Sequence, residues 1–268
     1  MEKGRLLKVI FSGYLILILA VCFLFSCSGR VDRPEVAVKK MICAYGGAEK
    51  IDFLTNYVGK GFMKNLSSKS VVSHYPFDLY QKDHLFKNRF VKVTRGKVTD
   101  IRVTVFDGRE AYQWQYGEGK KDVPMWEFAI LKYRFPLVLK WLRDSRAKGE
   151  IITDAGVEGV CRMRYLDGDD IVTFSLDDKS WLLKEVEIQS ATDSAFVYSE
   201  AYSDYRDMDG IPFPNRFTGT FKGQPYYEYF IPVIEYGVDL PDSLFKVTAE
   251  DTAEIFLQAL TGEPASPK

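Results

Sequence analysis

Cys27 is the residue whose surroundings most clearly predict chemistry. It follows an apolar run from Val9 to Phe25 and stands directly after the small residue Ser26. The segment before that run is basic and contains Lys3, Arg5 and Lys8. A basic start, an apolar middle and a small residue at the end are the three parts of a secretory signal. This arrangement predicts a covalent modification of the Cys27 thiol on an exported protein.

The order Leu24-Phe25-Ser26-Cys27 resembles the lipobox of bacterial lipoproteins. In that family the cysteine is diacylated, the peptide before it is cleaved, and the freed amine is acylated. The resemblance implies a lipoprotein signal peptide over residues 1–26, a lipidated tether over residues 27–34, and membrane attachment through Cys27. Ser28 favours the outer membrane, facing the periplasm, because Asp at this place is the usual inner-membrane retention signal. The alternative is an uncleaved transmembrane anchor, since about 20 apolar residues can span a bilayer.

The charge balance excludes nucleic acid as a partner. Residues 1–26 contain three of the 36 basic and one of the 37 acidic residues, so the rest of the chain carries a formal net charge of −3. Binding to a phosphate backbone needs a surplus of basic side chains. No internal repeat or low-complexity linker divides the chain. We therefore expect one domain over residues 35–262, which is long enough to bury a core, and a flexible tail over residues 263–268.

Side chains suited to catalysis or metal binding are scarce. His74 and His84 are the only two histidines, and both lie in strand-like sequence. The chain contains no H-E-x-x-H, no G-x-S-x-G, no phosphate-binding glycine loop and no paired C-x-x-C. The acidic residues offer many carboxylate pairs, but no spacing singles one out. We therefore expect a protein that is not an enzyme and that uses no cofactor or metal.

Helical spacing appears in three parts of the chain. Val38, Met41, Ile42 and Tyr45 follow the i, i+3, i+4, i+7 pattern, Gly46-Gly47 ends that helix, and residues 48–54 add a further turn or two. The block Met125–Lys148 is apolar on more than one face, and Pro136 divides it into two short helices. A third helix starts at Thr248 as N-cap, with Asp251 at the position of a capping box.

Most of the remaining chain alternates apolar and polar residues, which is typical of strands. Val186 and Ile188 alternate with Glu185 and Glu187, for example. Tight-turn signals such as Asp167-Gly168 and Asp209-Gly210 separate these runs. We expect ten to twelve short strands, by the same rule, in a meandering antiparallel sheet.

Two cysteines remain after the lipidation site. Cys43 lies on the predicted first helix and Cys161 in a predicted strand. An oxidising compartment permits a disulfide between them, but sequence alone does not show that they meet. Two buried free thiols are the other expectation.

Two structural motifs resemble the LolA/LolB-like superfamily of periplasmic lipid and lipoprotein carriers. They are the helix end Ala44-Tyr45-Gly46-Gly47-Ala48-Glu49-Lys50-Ile51 and the hairpin Asp204-Tyr205-Arg206-Asp207-Met208-Asp209-Gly210-Ile211-Pro212-Phe213-Pro214-Asn215-Arg216-Phe217. The resemblance implies an α+β, mainly antiparallel β fold: a single strongly curved, half-open β-barrel with short helices plugging its concave face. Carriers of this kind bind acyl chains between the barrel and the plug.

A concave sheet face rich in Phe and Tyr, closed by apolar helices, would form a pocket for acyl chains or lipoproteins. The residues expected to line it are Trp126, Phe128, Leu131, Phe135, Leu139, Phe196, Tyr198, Phe217 and Phe221. One alternative is that these side chains fill the barrel and leave no space. A second is a structural or sensing envelope lipoprotein, whose groove binds a protein partner.

Overall fold

The computed structural model describes residues 31, 33–66, 74–94, 97–107, 110–123, 131, 133–145, 149–152, 158–190, 197–248 and 251 of the 268-residue chain. Several predictions fall outside these residues: the signal with Cys27, the helix before Pro136 except for Leu131 and residues 133–135, and the helix after Asp251. Residues 133–135 are not helical. Within the described part of the chain, no helix has the length and apolar character required to cross a membrane.

The described helices are short, and two of them precede the first strand in the chain. They are α1 Pro34–Ala44, α2 Ala48–Leu54, α3 Leu137–Asp144 and the 3-10 turn Asp242–Leu244. The predicted end of α1 is confirmed, because Gly46 and Gly47 have φ values of +84° and +105°, a region that favours glycine. The predicted break at Pro136 is also confirmed, since α3 begins directly after it.

Thirteen described strands form a single antiparallel sheet. They are β1 Asn56–Asn65, β2 His74–Lys82, β3 Leu85–Thr94, β4 Lys97–Phe106, β5 Ala111–Gln115, β6 Gly119–Asp122, β7 Gly149–Ile152, β8 Val160–Asp167, β9 Asp170–Asp177, β10 Leu183–Ser190, β11 Val197–Asp207, β12 Pro212–Phe221 and β13 Gln224–Tyr236. This is one strand more than the predicted ten to twelve. The four-residue strands β6 and β7 are too short for their alternation to be recognised.

The sheet does not close on itself, because β6 and β7 lie at its two opposite edges. The sheet runs β6-β5-β4-β3-β2-β1-β13-β12-β11-β10-β9-β8-β7, so two meanders join where β1 pairs with β13. The two edge strands, β6 and β7, are consecutive in the chain. The connection between these edges contains Leu131 and α3, which pack against the concave face of the sheet. The predicted fold class, an α+β half-open barrel with plugging helices, is confirmed.

The two motifs that carry the family resemblance meet in space. The Tyr45 hydroxyl lies 3.0 Å from the Tyr205 hydroxyl, and the Tyr45 oxygen accepts a hydrogen bond from the Leu183 amide at 3.2 Å. The Lys50 ammonium donates to the carbonyl of Asp209 at 3.0 Å. The bonds to Tyr205 and Asp209 fasten the α1–α2 corner to the β11–β12 hairpin, and the bond from Leu183 ties it to β10.

Part of the sheet is covered on its outer face as well. Val91, Val98, Ile101, Val103 and Val105 form an apolar cluster there, against which Tyr112, Trp114 and Val247 pack. The predicted capping contact comes directly after Val247: the Thr248 amide donates a hydrogen bond to the Asp251 carboxylate at 2.6 Å. Strand β3 therefore has buried side chains on both faces, among them Phe86 and Asn88 on one and Lys87 and Val91 on the other.

The two thiols of the described chain are free. Cys43 is exposed and Cys161 is half-buried. The expectation that both are buried was wrong, because the apolar stripe of α1 passes beside Cys43 and buries Ala37, Val38 and Met41 instead.

Candidate functional site

One half of the concave face is filled by aromatic side chains around Phe135. This residue is 1% exposed and lies at the start of the plug, directly before α3. Its ring centroid lies 5.1 Å from that of Phe213 and 5.8 Å from that of Tyr202, with Tyr45 and Phe217 also in contact. Tilted and edge-to-face contacts at these distances are favourable aromatic geometry. This half of the barrel therefore holds a packed core.

Helix α3 continues that core towards β8 and β9. Trp141 packs edge-to-face on Tyr133 and Tyr165, with centroid distances of 5.6 and 5.5 Å. The polar side of the helix docks on α2, because Arg143 donates to the Ala48 carbonyl at 3.0 Å and pairs with Asp52 at 2.8 Å. The plug is thus held by both apolar packing and charged contacts.

A cavity of about 100 Å³ remains on the other half of the concave face, against β1, β3, β4, β5 and β13. Its inner wall consists of the buried residues Phe86, Asn88, Phe90, Leu131, Arg134, Tyr227 and Tyr229. Its outer part consists of the half-buried or exposed residues Met63, Asn65, Arg102, Thr104, Gln113 and Tyr226. Among these described lining residues there is no Asp or Glu.

Arg134 brings a buried positive charge to the inner wall. It is 6% exposed, and its Nε lies 3.7 Å from Oε1 of Glu200. The guanidinium carbon also lies 4.6 Å from the centre of the Tyr229 ring, a favourable cation–π distance. Burial, the largest single effect, lowers the pKa of Arg134, but the negative charge of Glu200 and the nearby hydroxyls of Tyr229, Tyr227 and Tyr57 together hold that pKa above its usual range.

The carboxylate of Glu200 is bound by two tyrosines. The Tyr202 hydroxyl donates to Oε2 at 2.9 Å and the Tyr227 hydroxyl donates to Oε1 at 2.5 Å. Tyr198 is hydrogen-bonded to Tyr227 in turn. Burial, and next to it the charge of Glu200, raises the pKa of all three tyrosines well above the ordinary value. These hydroxyls are therefore fixed as protonated donors and not as bases.

The structure separates the residues predicted to line the pocket. Leu131 lies in the cavity wall. Phe135, Leu139, Tyr198 and Phe217 are buried in the packed part of the concave face. Phe221 is half-buried at the end of β12. Trp126, Phe128 and Phe196 lie outside the described residues, as does Cys27, so the roles of all ten residues stay predictions.

The sequence reasoning missed the polar residues of the site. Arg134 stands within an apolar block, and Glu200 lies between Tyr198 and Tyr202 on one face of β11. A charged residue in such a place needs a partner, because an isolated buried charge is very costly. That signal was available for both residues, although it did not show that they meet. In the part of the chain that the structure describes, no group of three or more His, Cys, Asp or Glu side chains could hold a metal ion.

Comparison with known proteins gives likeness in structure only. No family model matches the chain, and no curated protein matches its sequence. The chain is similar to the putative outer membrane lipoprotein-sorting protein domain of Vibrio parahaemolyticus, with a TM-score of 0.53 and 10% identity over 80% of this chain and 97% of that one.

Two further solved structures show the same likeness. A LolA superfamily protein from Nitrosomonas europaea matches with a TM-score of 0.55 and 10% identity, over 81% of this chain and 99% of that one. A DUF1329 family protein from Desulfovibrio piger matches with a TM-score of 0.54 and 11% identity, over 81% and 98%. At such low identity these likenesses establish the fold alone. The resemblance to the LolA/LolB-like superfamily is thereby confirmed as a likeness in fold.

Proposed function

We propose that the protein is a lipidated periplasmic carrier that binds lipid or lipoprotein acyl chains at its concave face, for transport or sorting at the outer membrane. The observation that carries this proposal is the cavity between the concave sheet and the plug, in a fold shared with a lipoprotein-sorting domain. No step of this function requires catalysis, so the protein is proposed not to be an enzyme.

The size of the cavity sets how an acyl chain would enter. Burial of each methylene is favourable by about 0.8 kcal/mol. An engineered cavity of about 150 Å³ takes up benzene, so the present volume of about 100 Å³ accepts only part of a long chain. Binding of a whole chain therefore requires the plug to shift. Leu131, Phe135 and Leu139 are the plug residues that would exchange contacts with the sheet for contacts with the ligand.

Membrane attachment is proposed to occur through Cys27. The lipobox-like order Leu24-Phe25-Ser26-Cys27 supports this assignment, and Ser28 supports the outer membrane. An anchor at the end of the tether over residues 27–34 would keep the protein at the membrane from which its ligands come. The domain over residues 35–262 is proposed as the carrier unit.

Native mass spectrometry of protein extracted gently from its membrane tests both parts of the proposal. We expect a mature chain that begins at Cys27 and carries covalent acyl groups, together with a further lipid that dissociates on activation. The matched control is Cys27→Ser, which should give an uncleaved chain without covalent acyl groups. Acyl groups on the control would contradict the anchor, and the absence of any dissociable lipid would contradict the carrier.

A second candidate function is supported by the filled half of the concave face. Phe135, Leu139 and Phe217 are at most 1% exposed, so no room for a chain exists there unless the plug moves. In this alternative the protein is a structural or sensing envelope lipoprotein whose groove binds a protein partner. Recovery of the protein without lipid but with a second polypeptide, in the same mass spectrum, would favour it.

A further inference from the structure

The cavity has a polarity that an acyl chain alone does not explain. Arg134 lies in its inner wall and the exposed Arg102 lies in its outer part, and the described lining residues include no acid. The carboxylate that pairs with Arg134 belongs to Glu200, which is not among the lining residues. The cavity therefore presents positive charge and hydrogen-bond donors to whatever occupies it.

The ion pair behind the wall leaves donors of Arg134 free. Both oxygens of Glu200 accept hydrogen bonds from tyrosines, and the distance of 3.7 Å from Arg134 Nε to Glu200 Oε1 exceeds that of a hydrogen bond. Among the residues that the structure describes, Arg134 Nε and Nη2 are buried without a hydrogen-bond partner. Buried donors normally have partners, so two free donors of a buried cation point to a missing acceptor.

A second buried polar atom lies in the same wall. Asn88 is 2% exposed, and its acceptor Oδ1 has no hydrogen-bond partner within the described part of the chain. Leu131, Phe86 and Phe90 surround these polar groups with apolar surface. The volume of about 100 Å³ is suited to a small polar group and the first few carbon atoms attached to it, and not to a complete acyl chain.

We propose that this cavity holds the anionic head group of an acyl lipid, a carboxylate or a phosphate, with Arg134 as its main ligand and Arg102 at the entrance. This inference rests on the proposed carrier function and names the class of lipid that is carried. Arg134 donates charge-assisted hydrogen bonds to the head-group oxygens, which are about twice as strong as neutral ones. The apolar wall at Leu131 and Phe86 receives the first methylenes of the chain.

Calorimetric titration of two ligands of equal chain length tests the head-group assignment. The protein form is the soluble chain that starts at Ser28, which keeps the whole compact unit Arg33–Lys268, after removal of bound lipid. Decanoate is expected to bind at least about ten-fold more tightly than decanol, since a hydrogen bond to a charged group contributes this much. Acetate and inorganic phosphate are titrated separately to detect a site for free anions.

Variants test whether Arg134 causes the difference in affinity between decanoate and decanol. Removal of Arg134 alone would leave Glu200 charged and buried, which destabilises the fold, so the double variant Arg134→Gln/Glu200→Gln is used. In it, decanoate and decanol should bind equally. Arg102→Gln should weaken decanoate about two- to three-fold, whereas Arg164→Gln, which removes an exposed charge on β8 away from the cavity, should not. Thermal unfolding checks that each variant is folded.

The possible results separate the two proposals. Equal binding of decanoate and decanol by the unmodified chain overturns the head-group site but leaves the carrier function standing. Binding of acetate or phosphate without either amphiphile supports an anion site and overturns acyl carriage. Absence of binding by all four compounds overturns both proposals and indicates a cavity that contains only water.

Discussion

Lys87 on strand β3 and Asp251, which follows β13 in the chain, form a buried ion pair away from the candidate site. The Lys87 ammonium lies 2.8 Å from Oδ2 of Asp251, and the two side chains are 2% and 7% exposed. Lys87 also donates to the Lys246 carbonyl at 2.9 Å, and Asp251 accepts from the Thr248 amide. Because side chains alternate along a strand, Lys87 faces the side of the sheet opposite to Asn88. This pair therefore fastens the chain after β13 to the outer face.

Loss of one partner of this buried pair should be costly. We expect Asp251→Asn to lower the free energy of unfolding by about 3 kcal/mol, because it leaves the Lys87 charge buried without a counter-charge. The matched control is Asp242→Asn. It breaks the pair Lys82–Asp242, which has a similar distance of 2.7 Å but lies at the surface, with Asp242 exposed, and should cost much less because solvent screens the pair. Urea unfolding of both variants measures the difference, and equal losses would contradict it.

At the scale of the elements, the junction of β1 and β13 joins the two meanders of the sheet. The pairing register shifts between Lys60 and Phe62, and Gly61 lies at that shift. A Cβ atom on Gly61 would lie 2.0 Å from the carbonyl oxygen of Phe230. Only glycine allows the two backbones to approach this closely.

Gly61→Ala should therefore weaken the junction. We expect a loss of about 3 kcal/mol in the free energy of unfolding, because the strands must separate to remove the clash. Gly59→Ala, two residues earlier in β1, is the matched control: its Cβ would meet the Ile231 side chain at 3.2 Å, and we expect a loss of about 1 kcal/mol or less. Chemical denaturation compares the two, and a larger loss for Gly59→Ala would show that the junction tolerates separation.

At the scale of the whole molecule, the core buries several tyrosine side chains, among them Tyr45, Tyr57, Tyr133, Tyr198 and Tyr202. Burial raises the pKa of Tyr165 to about 12 and raises that of Tyr45, Tyr202 and Tyr227 well above the ordinary value. The ordinary tyrosine pKa is about 10. Between these values the unfolded chain loses protons that the folded chain keeps, so stability is complete below about pH 10 and falls as the pH rises towards each folded-state pKa.

We therefore expect alkaline unfolding that is governed by tyrosine ionisation. The free energy of unfolding should fall by up to about 1.4 kcal/mol per pH unit for each buried tyrosine above about pH 10. Urea unfolding at several pH values gives this slope, and tyrosinate absorbance follows the ionisation. Tyr165→Phe should make the slope shallower by about one proton between about pH 10 and 12. A slope that this substitution leaves unchanged would exclude Tyr165 from the effect.

Local features of the chain were predictable from sequence because neighbours along the chain decide them. Gly46-Gly47 ends α1, Pro136 precedes α3, and Asp209-Gly210 turns β11 into β12, each through its own backbone preferences. Alternation of apolar residues fixed most strands for the same reason. The four-residue edges β6 and β7 carried too few residues for that pattern to be recognised.

The tertiary structure decided what distant segments do together. Many strand registers bury the same apolar face, so alternation alone did not show that β1 pairs with β13 or that β6 and β7 remain as open edges. It also did not show that β3 is covered on both faces. The pairing of Arg134 with Glu200, and with it the positively charged cavity, exists only because the plug crosses the concave face next to β11.

The sequence by itself determined the kinds of element and the composition of the core, because these depend on local periodicity. Long-range packing decides which polar groups meet inside that core. The residues around any one position do not show which distant segment will pack against it.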